Sequence, residues 1–133
     1  MQNMIVLQTR PEHLKAVIEK SKRALNGVMK CVRAGDVLLI AESPPPRNAP
    51  QIWYAMRYRR MYPDSRRESE AIWGKRWRYI VEGEDCQLLD HPFSLKDVQV
   101  SAKNYGQGAI SFTYLDDRDA KLLIDRSLLK PVL

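Results

Sequence analysis

The sequence predicts an α+β domain, a curled mixed β-sheet or small barrel flanked by two or three helices. Three observations predict it. Five to seven apolar runs have the length of a strand. Two segments, near residues 14–25 and 120–128, repeat apolar residues at helical spacing. The two kinds of segment follow one another in mixed order, with no internal repeat or low-complexity tract. At 133 residues the chain makes one domain, 1–133, long enough to bury about two-thirds of its unfolded surface.

In order, Met4 to Gln8 is a short apolar run read as a strand. Thr9 and Glu12 have capping-box spacing, with Pro11 in the first turn, where it loses no hydrogen bond. Leu14, Val17, Ile18 and Leu25 then mark a helix that Gly27 closes. Lys15, Lys20, Lys22 and Arg23 read as its solvated face. Val28 to Val32 reads as a second strand, and Ala34-Gly35-Asp36 as a turn into Val37 to Ala41, a strand buried on both faces. Glu42 to Pro50 holds four of the eight prolines and is a loop. Ile52, Tyr54, Met56 and Tyr58 alternate with Trp53, Ala55, Arg57 and Arg59, giving a strand with a core face and an aromatic-basic face. Tyr62 to Glu70 is polar and turn-rich, and Trp73-Gly74 falls on the loop at its end. Trp77 to Glu82 reads as a strand that places Trp77, Tyr79 and Val81 on one side, and Gly83-Glu84-Asp85 turns the chain. Leu95 to Val100 leads to a further short strand. Lys103 to Gly108 is a loop, and Phe112 and Tyr114 precede Asp116, the cap of a last helix buried through Ala120, Leu123, Ile124 and Leu128.

The chain is +6 with a pI near 9.5, which favours an acidic partner, nucleic acid ahead of a membrane surface. No apolar run reaches the ~20 residues needed to span a bilayer, and the N-terminus lacks the basic region and apolar length of a signal peptide. The expected compartment is the cytoplasm. There Cys31 and Cys86 are expected to be free, buried thiols. His13 and His91 share no ligand spacing with them, so neither a metal nor another cofactor is expected.

All three tryptophans lie between Trp53 and Trp77. From Arg57 to Arg78, eight Lys or Arg stand against three Asp or Glu, so this segment carries most of the chain's excess charge. Basic groups interleaved with aromatic rings suit a nucleic acid, whose phosphates take the charge and whose bases take the rings. Arg57, Arg59, Arg66, Arg67, Lys75, Arg76 and Arg78 are the candidate phosphate contacts. Trp73, beside a glycine and several basic groups, is the candidate base contact, and Trp53 shares its strand face with Arg57 and Arg59. Trp77, inside an apolar alternation, reads as a core aromatic. The sequence carries no phosphate-binding Gly-rich loop, nucleophile elbow or cysteine pair. Glu68 and Glu70 are available for acid–base work, but no catalytic residue is assigned and an enzyme is not expected.

The order of these elements resembles the EVE domains of the PUA-like superfamily, relatives of the YTH readers of methylated adenine. The residues that carry it are the strand–helix opening, Gly35-Asp36-Val37-Leu38-Leu39-Ile40, and the strand ending at Tyr62-Pro63-Asp64. Trp73-Gly74 followed by Trp77-Arg78-Tyr79-Ile80, and Gly106 to Ser111 before a capped helix, complete it. The resemblance implies a pocket that holds one modified base, methylated in the YTH case and flipped out between aromatic rings. It implies Trp73 as the loop tryptophan of that cage, Asn104 and Gln107 as late-loop residues approaching the base, and Ser43 as a pocket-side polar residue. The chain departs from the pattern after the first helix, where YTH readers place another cage tryptophan and this sequence has Gly27-Val28-Met29. Trp53 or Tyr105 is then the candidate second wall.

The function expected is a reader of a modified base in DNA or RNA, acting as sensor for an effector nuclease or motor subunit in restriction, or in RNA regulation. Two other readings remain. ASCH-type relatives of the same superfamily include nucleases and amidohydrolases, for which Glu42, Glu68, Glu70 and Lys75 are the candidate groups. A protein-interaction module would use Trp53 and the Pro44-Pro45-Pro46 loop.

Overall fold

The computed structural model of the protein describes residues 4–42, 51–94 and 112–125. The chain runs β1 (Met4–Thr9), α1 (Pro11–Lys20), β2 (Lys22–Leu25), β3 (Val37–Glu42), β4 (Gln51–Pro63), α2 (Glu68–Trp73), β5 (Tyr79–Ser94), β6 (Phe112–Leu115) and α3 (Asp117–Asp125). The strands form one mixed sheet in the order β2-β5-β4-β3-β1-β6. Only the β1–β3 pair is parallel among the described ladders. The expected α+β class, with a curled sheet and flanking helices, is the one observed.

β1 and β3 are buried on both faces, as continuous apolar runs require. Alternate residues feed two cores. Met4, Val6, Val37 and Leu39 pack with Leu89, Phe93 and, from α3, Ala120 and Leu123. Ile5, Leu7, Leu38 and Ile40 pack with Val17 of α1, Leu25 of β2, Met56 and Val81, and Trp73 leans on this second core. The half-barrel curls far enough for its edge strand to reach the other side: from β2, the Arg23 guanidinium donates to the Gln8 carbonyl of β1 at 2.8 Å and to the Ala24 carbonyl.

Several expectations are corrected. α1 stops at Ser21, which adopts the left-handed conformation at φ 53°, and Lys22–Leu25 turns into a strand rather than continuing to Gly27. The N-cap is Arg10, with no side-chain cap bond, because Thr9 is drawn into β1 opposite Glu42. Lys15 stays on the solvated face, paired with Glu19 at 3.9 Å, whereas Lys22 and Arg23 turn inward. Val28 to Val32 forms no strand. Trp77 precedes β5 instead of opening it, and β5 continues through Gly83 for 16 residues, with Asp85 in the left-handed conformation at φ 54° where the register with β4 shifts. Gly83 is needed there: a Cβ would stand 2.6 Å from the Met56 sulfur and 3.0 Å from the Arg57 carbonyl. The turn-like composition of Gly83-Glu84-Asp85 is overridden by pairing with the long β4.

The clean alternation expected of β4 also fails. The register with both neighbours steps over Trp53, which moves Ile52 onto the face of Ala55 and into the first core, while Tyr54, Met56 and Tyr58 join the second. Ala55 is buried in the first core, and Arg57, two residues on, is half-buried. Of the two free cysteines, Cys86 is half-buried, and burial raises its thiol pKa; Cys31 is exposed, contrary to expectation. Asp116 does cap α3, accepting from the Asp119 amide at 2.8 Å. Leu95 to Val100, expected to lead to a further short strand, lies outside the described residues. Among those residues, no helix is long and apolar enough to cross a membrane.

Candidate nucleic-acid interface

β4 ends at Pro63, and the next residue organises the turn and helix after it. The buried Asp64 carboxylate accepts from the Glu68 amide at 2.7 Å, the Ser69 amide at 3.0 Å and the Ser69 hydroxyl. It supplies the two first-turn amides of α2 with an acceptor that the cap residue, Arg67, does not offer. Ser69 Oγ in turn accepts from the Trp77 amide at 2.9 Å, and the Asp64 amide donates to the Arg78 carbonyl at 2.8 Å. The start of α2 is thus tied to the segment after it. Burial works to raise the Asp64 pKa. The Ser69 and Glu68 hydrogen bonds, with Arg76 nearby, outweigh it and hold the carboxyl below its ordinary value.

Trp73 is the last residue of α2, not a loop residue, and Gly74 ends the helix in the left-handed conformation at φ 74°. The six-residue helix was hidden by its polar composition, although Asp64 and Ser65 in a turn ahead of Glu68 are a start signal. Trp73 is half-buried, and its indole N–H is enclosed without a hydrogen-bond partner. Trp77 meets it edge to face at 6.0 Å and 82°, and meets His13 of α1 at 5.6 Å and 89°. Lys75 Nζ lies 5.2 Å from the Trp77 ring centre. Burial lowers the His13 pKa, and Arg23, Arg10 and Lys75 add to this against Glu12. Beside the pair is an open cleft of ≈ 490 Å³ lined by Asn26, Asp64, Arg76, Trp77 and Arg78. Trp73 packs in part against the second core, and Trp77, expected as a core aromatic, lines a cleft.

A second polar cluster lies at the start of the same helix. Glu68 accepts from Lys22 Nζ at 2.7 Å and from the Tyr62 hydroxyl at 3.0 Å. The Lys22 bond is the main cause of the lowered Glu68 pKa, and the Glu68 bond the main cause of the raised Lys22 pKa. Tyr62 is raised chiefly by burial. Arg60 stacks 5.0 Å from the Tyr62 ring centre and, with Arg59, pairs with Glu82 at 3.1 Å.

The structure brings Trp73, Lys75, Arg76 and Arg78 together, with Arg66 and Arg67 exposed on the turn before α2. Arg57 is half-buried on β4, opposite Val37 and Glu84. Trp53, 38% exposed, stands near the start of β4, next to Ile52, the strand partner of Phe93, whereas Trp73 follows the far end of that strand. Ser43, Asn104, Tyr105 and Gln107 lie outside the described residues. Sequence reasoning missed Trp77, Asn26, His13 and the Lys22–Glu68–Tyr62 contact. These residues come from separate chain segments, and no local pattern links them.

No protein-family model and no curated protein matches the sequence. Solved structures do match in fold. An ASCH protein from Zymomonas mobilis superposes with a TM-score of 0.64 at 14% identity, covering 92% of this chain and 94% of that one. Human THYN1, solved in complex with 5-methylcytosine-containing DNA, gives 0.61 at 13% identity, over 94% and 97%. A Pseudomonas putida protein gives 0.56 at 15%, over 98% and 99%. The fold is PUA-like. The ASCH and THYN1 structures are about equally similar to this chain, so the superpositions show the fold and do not single out EVE domains within it.

Proposed function

We propose that this PUA-like chain binds nucleic acid and reads a modified, methylated base, serving as the sensor for an effector nuclease or motor subunit. The observation that carries the reading is Trp73, half-buried with its indole N–H enclosed without a partner, on a helix anchored by Asp64 and Ser69 and followed by Lys75, Arg76 and Arg78. Rings held next to cations suit stacked bases and flanking phosphates. The 5-methylcytosine DNA bound by THYN1, on the same fold, supports it. A flipped base costs a few kcal/mol to extrude, less when modified, and an added methyl contributes roughly 0.8 kcal/mol when buried against rings. Tighter ring contact adds to this, so about tenfold preference or more is expected. Paired oligonucleotides, methylated and plain, in adenine and cytosine and in DNA and RNA, test it. Equal binding within every pair rejects the reader.

One observation favours a second, enzymatic reading. Lys22, Glu68 and Tyr62 converge at hydrogen-bond distance, and Glu68 is one of the acid–base candidates. An acidic substrate that engages Lys22 would release Glu68 to act as a base. Metal-free turnover of RNA or of an acylated base, abolished by Glu68→Gln with the melting temperature retained, would establish it; binding without turnover leaves the reader.

A further inference from the structure

The cleft beside Trp77 has the makings of a site in its own right. Its volume of ≈ 490 Å³ falls within the about 300–1,000 Å³ of small-molecule sites. Trp77 is half-buried, yet it is absent from the rings packed on either apolar core; its ring contacts are edgewise, to Trp73 and His13. Its backbone is pinned to Ser69, so the ring is held without being used by the core. Arg76 and Arg78 line the same cleft with exposed side chains, and neither makes an ion pair among the described residues. Asp64, the carboxylate in its lining, has its oxygens committed to Glu68 and Ser69. Asn26 accepts from the Arg78 amide at 3.2 Å through Oδ1, which leaves its side-chain NH₂ to donate.

We propose that this cleft is a second nucleotide subsite, holding the single-stranded nucleotide next to the modified base, with its ring on Trp77 and its phosphate on Arg76 and Arg78. The inference rests on the reading of the chain as a nucleic-acid binder, and it assigns Trp77 and Asn26 a contact independent of base modification. Stacking on one ring tolerates any base, so the subsite adds affinity and places the strand without adding sequence choice. Asn26 donates to a sugar or phosphate oxygen, which every nucleotide carries.

The test uses short single-stranded DNA and RNA, each methylated or plain, intact or abasic at the neighbouring position. Trp77→Leu removes the ring and keeps apolar bulk against Trp73 and His13. It is expected to weaken methylated and plain strands alike by about five- to a hundredfold, leaving their ratio unchanged. An abasic neighbour should weaken wild type by a similar factor and the variant hardly further, since both remove one contact. If wild type binds the abasic strands as tightly as the intact ones, or if the two losses simply multiply, the subsite is overturned. The abasic comparison needs only wild type, so it decides the proposal even where Trp77→Leu folds poorly. Loss of the methyl ratio in wild type would reject the reader while leaving the subsite measurable.

Discussion

Two parts of the molecule carry tryptophan among arginines, and they are built on different principles. At Trp53 the strand ladder steps aside: β4 bulges, both neighbours skip the residue, and the ring stands exposed. At Trp73 and Trp77 the backbone is tied down by a buried carboxylate and a serine hydroxyl, and the rings touch each other and His13. Similar composition gives an adaptable surface in one place and a preorganised one in the other. Preorganised rings lose less freedom on binding. The difference in support is why the proposed recognition site is put at the Trp73–Trp77 end, and single substitutions can remove that support or measure it.

The largest effect is expected from Asp64→Ala. It strips the acceptor from two α2 amides and the Ser69 hydroxyl inside the protein. Buried donors left unpaired cost about 1–3 kcal/mol each, so a loss of about 3 kcal/mol is expected after partial relaxation. The near-UV dichroism of the tryptophan pair should fall with it. A variant that melts near wild type with that signal intact would show that the carboxylate does not organise this end.

Next come the tryptophans themselves. Trp73→Ala empties part of the second core and should cost about 2–3 kcal/mol, short of the full value for a wholly buried ring. Trp77→Ala loses edge contacts worth about 1 kcal/mol. Trp53→Ala should stay within about 0.5 kcal/mol of wild type. Urea unfolding of the three variants orders them; equal midpoints would erase the contrast between the two regions.

What the sequence made legible follows the same physics. β3, the Asp116 cap and the mixed order of elements rest on local pattern, and all three stand in the structure. Trp77 was misread because its alternation with Tyr79 and Val81 mimics a strand, while the Ser69 contact, eight residues away, holds its backbone outside β5. Arg23 was misread because helical spacing places it on a wet face, whereas Ser21 ends the helix early and the barrel closes over the guanidinium. Burial brings the Arg23 pKa down to about 10. Long-range closure of this kind leaves no local signature. The cage residues that resemblance assigned to Ser43, Asn104, Tyr105 and Gln107 lie outside the described residues, so that part of the site rests on the sequence.

A smaller effect separates the two regions by pH. Asp64 and Glu68 both titrate below their ordinary values of 3.8 and 4.5 when folded. A depressed carboxyl stabilises the fold above its unfolded pKa and loses that contribution as pH falls through the folded value. Stability should therefore decline below about pH 4.5, and Asp64→Asn or Glu68→Gln should flatten the decline, whereas Trp53→Ala should leave its slope unchanged. Urea midpoints at pH 7 and pH 4 measure it; parallel decline in all variants would assign acid sensitivity to other carboxylates.

The smallest effect concerns which cations meet phosphate. Arg59 and Arg60 share Glu82 at 3.1 Å, on the part of β4 that pairs with β5, whereas Arg76 and Arg78 line the cleft without an ion pair among the described residues. The salt dependence of binding counts phosphates neutralised, about one unit of slope for each cation that reaches one. An arginine already held by a carboxylate must break that pair to reach a phosphate, so it contributes little. Arg78→Ala is expected to lower the slope of log affinity against log salt by about one unit, and Arg59→Ala by a small fraction of that. Titrations of one plain oligonucleotide across a salt series compare them directly. Equal slopes for the two variants would mean that the strand runs along β4 toward Trp53 as readily as over the Trp77 cleft, and that the anchored end holds no advantage in binding.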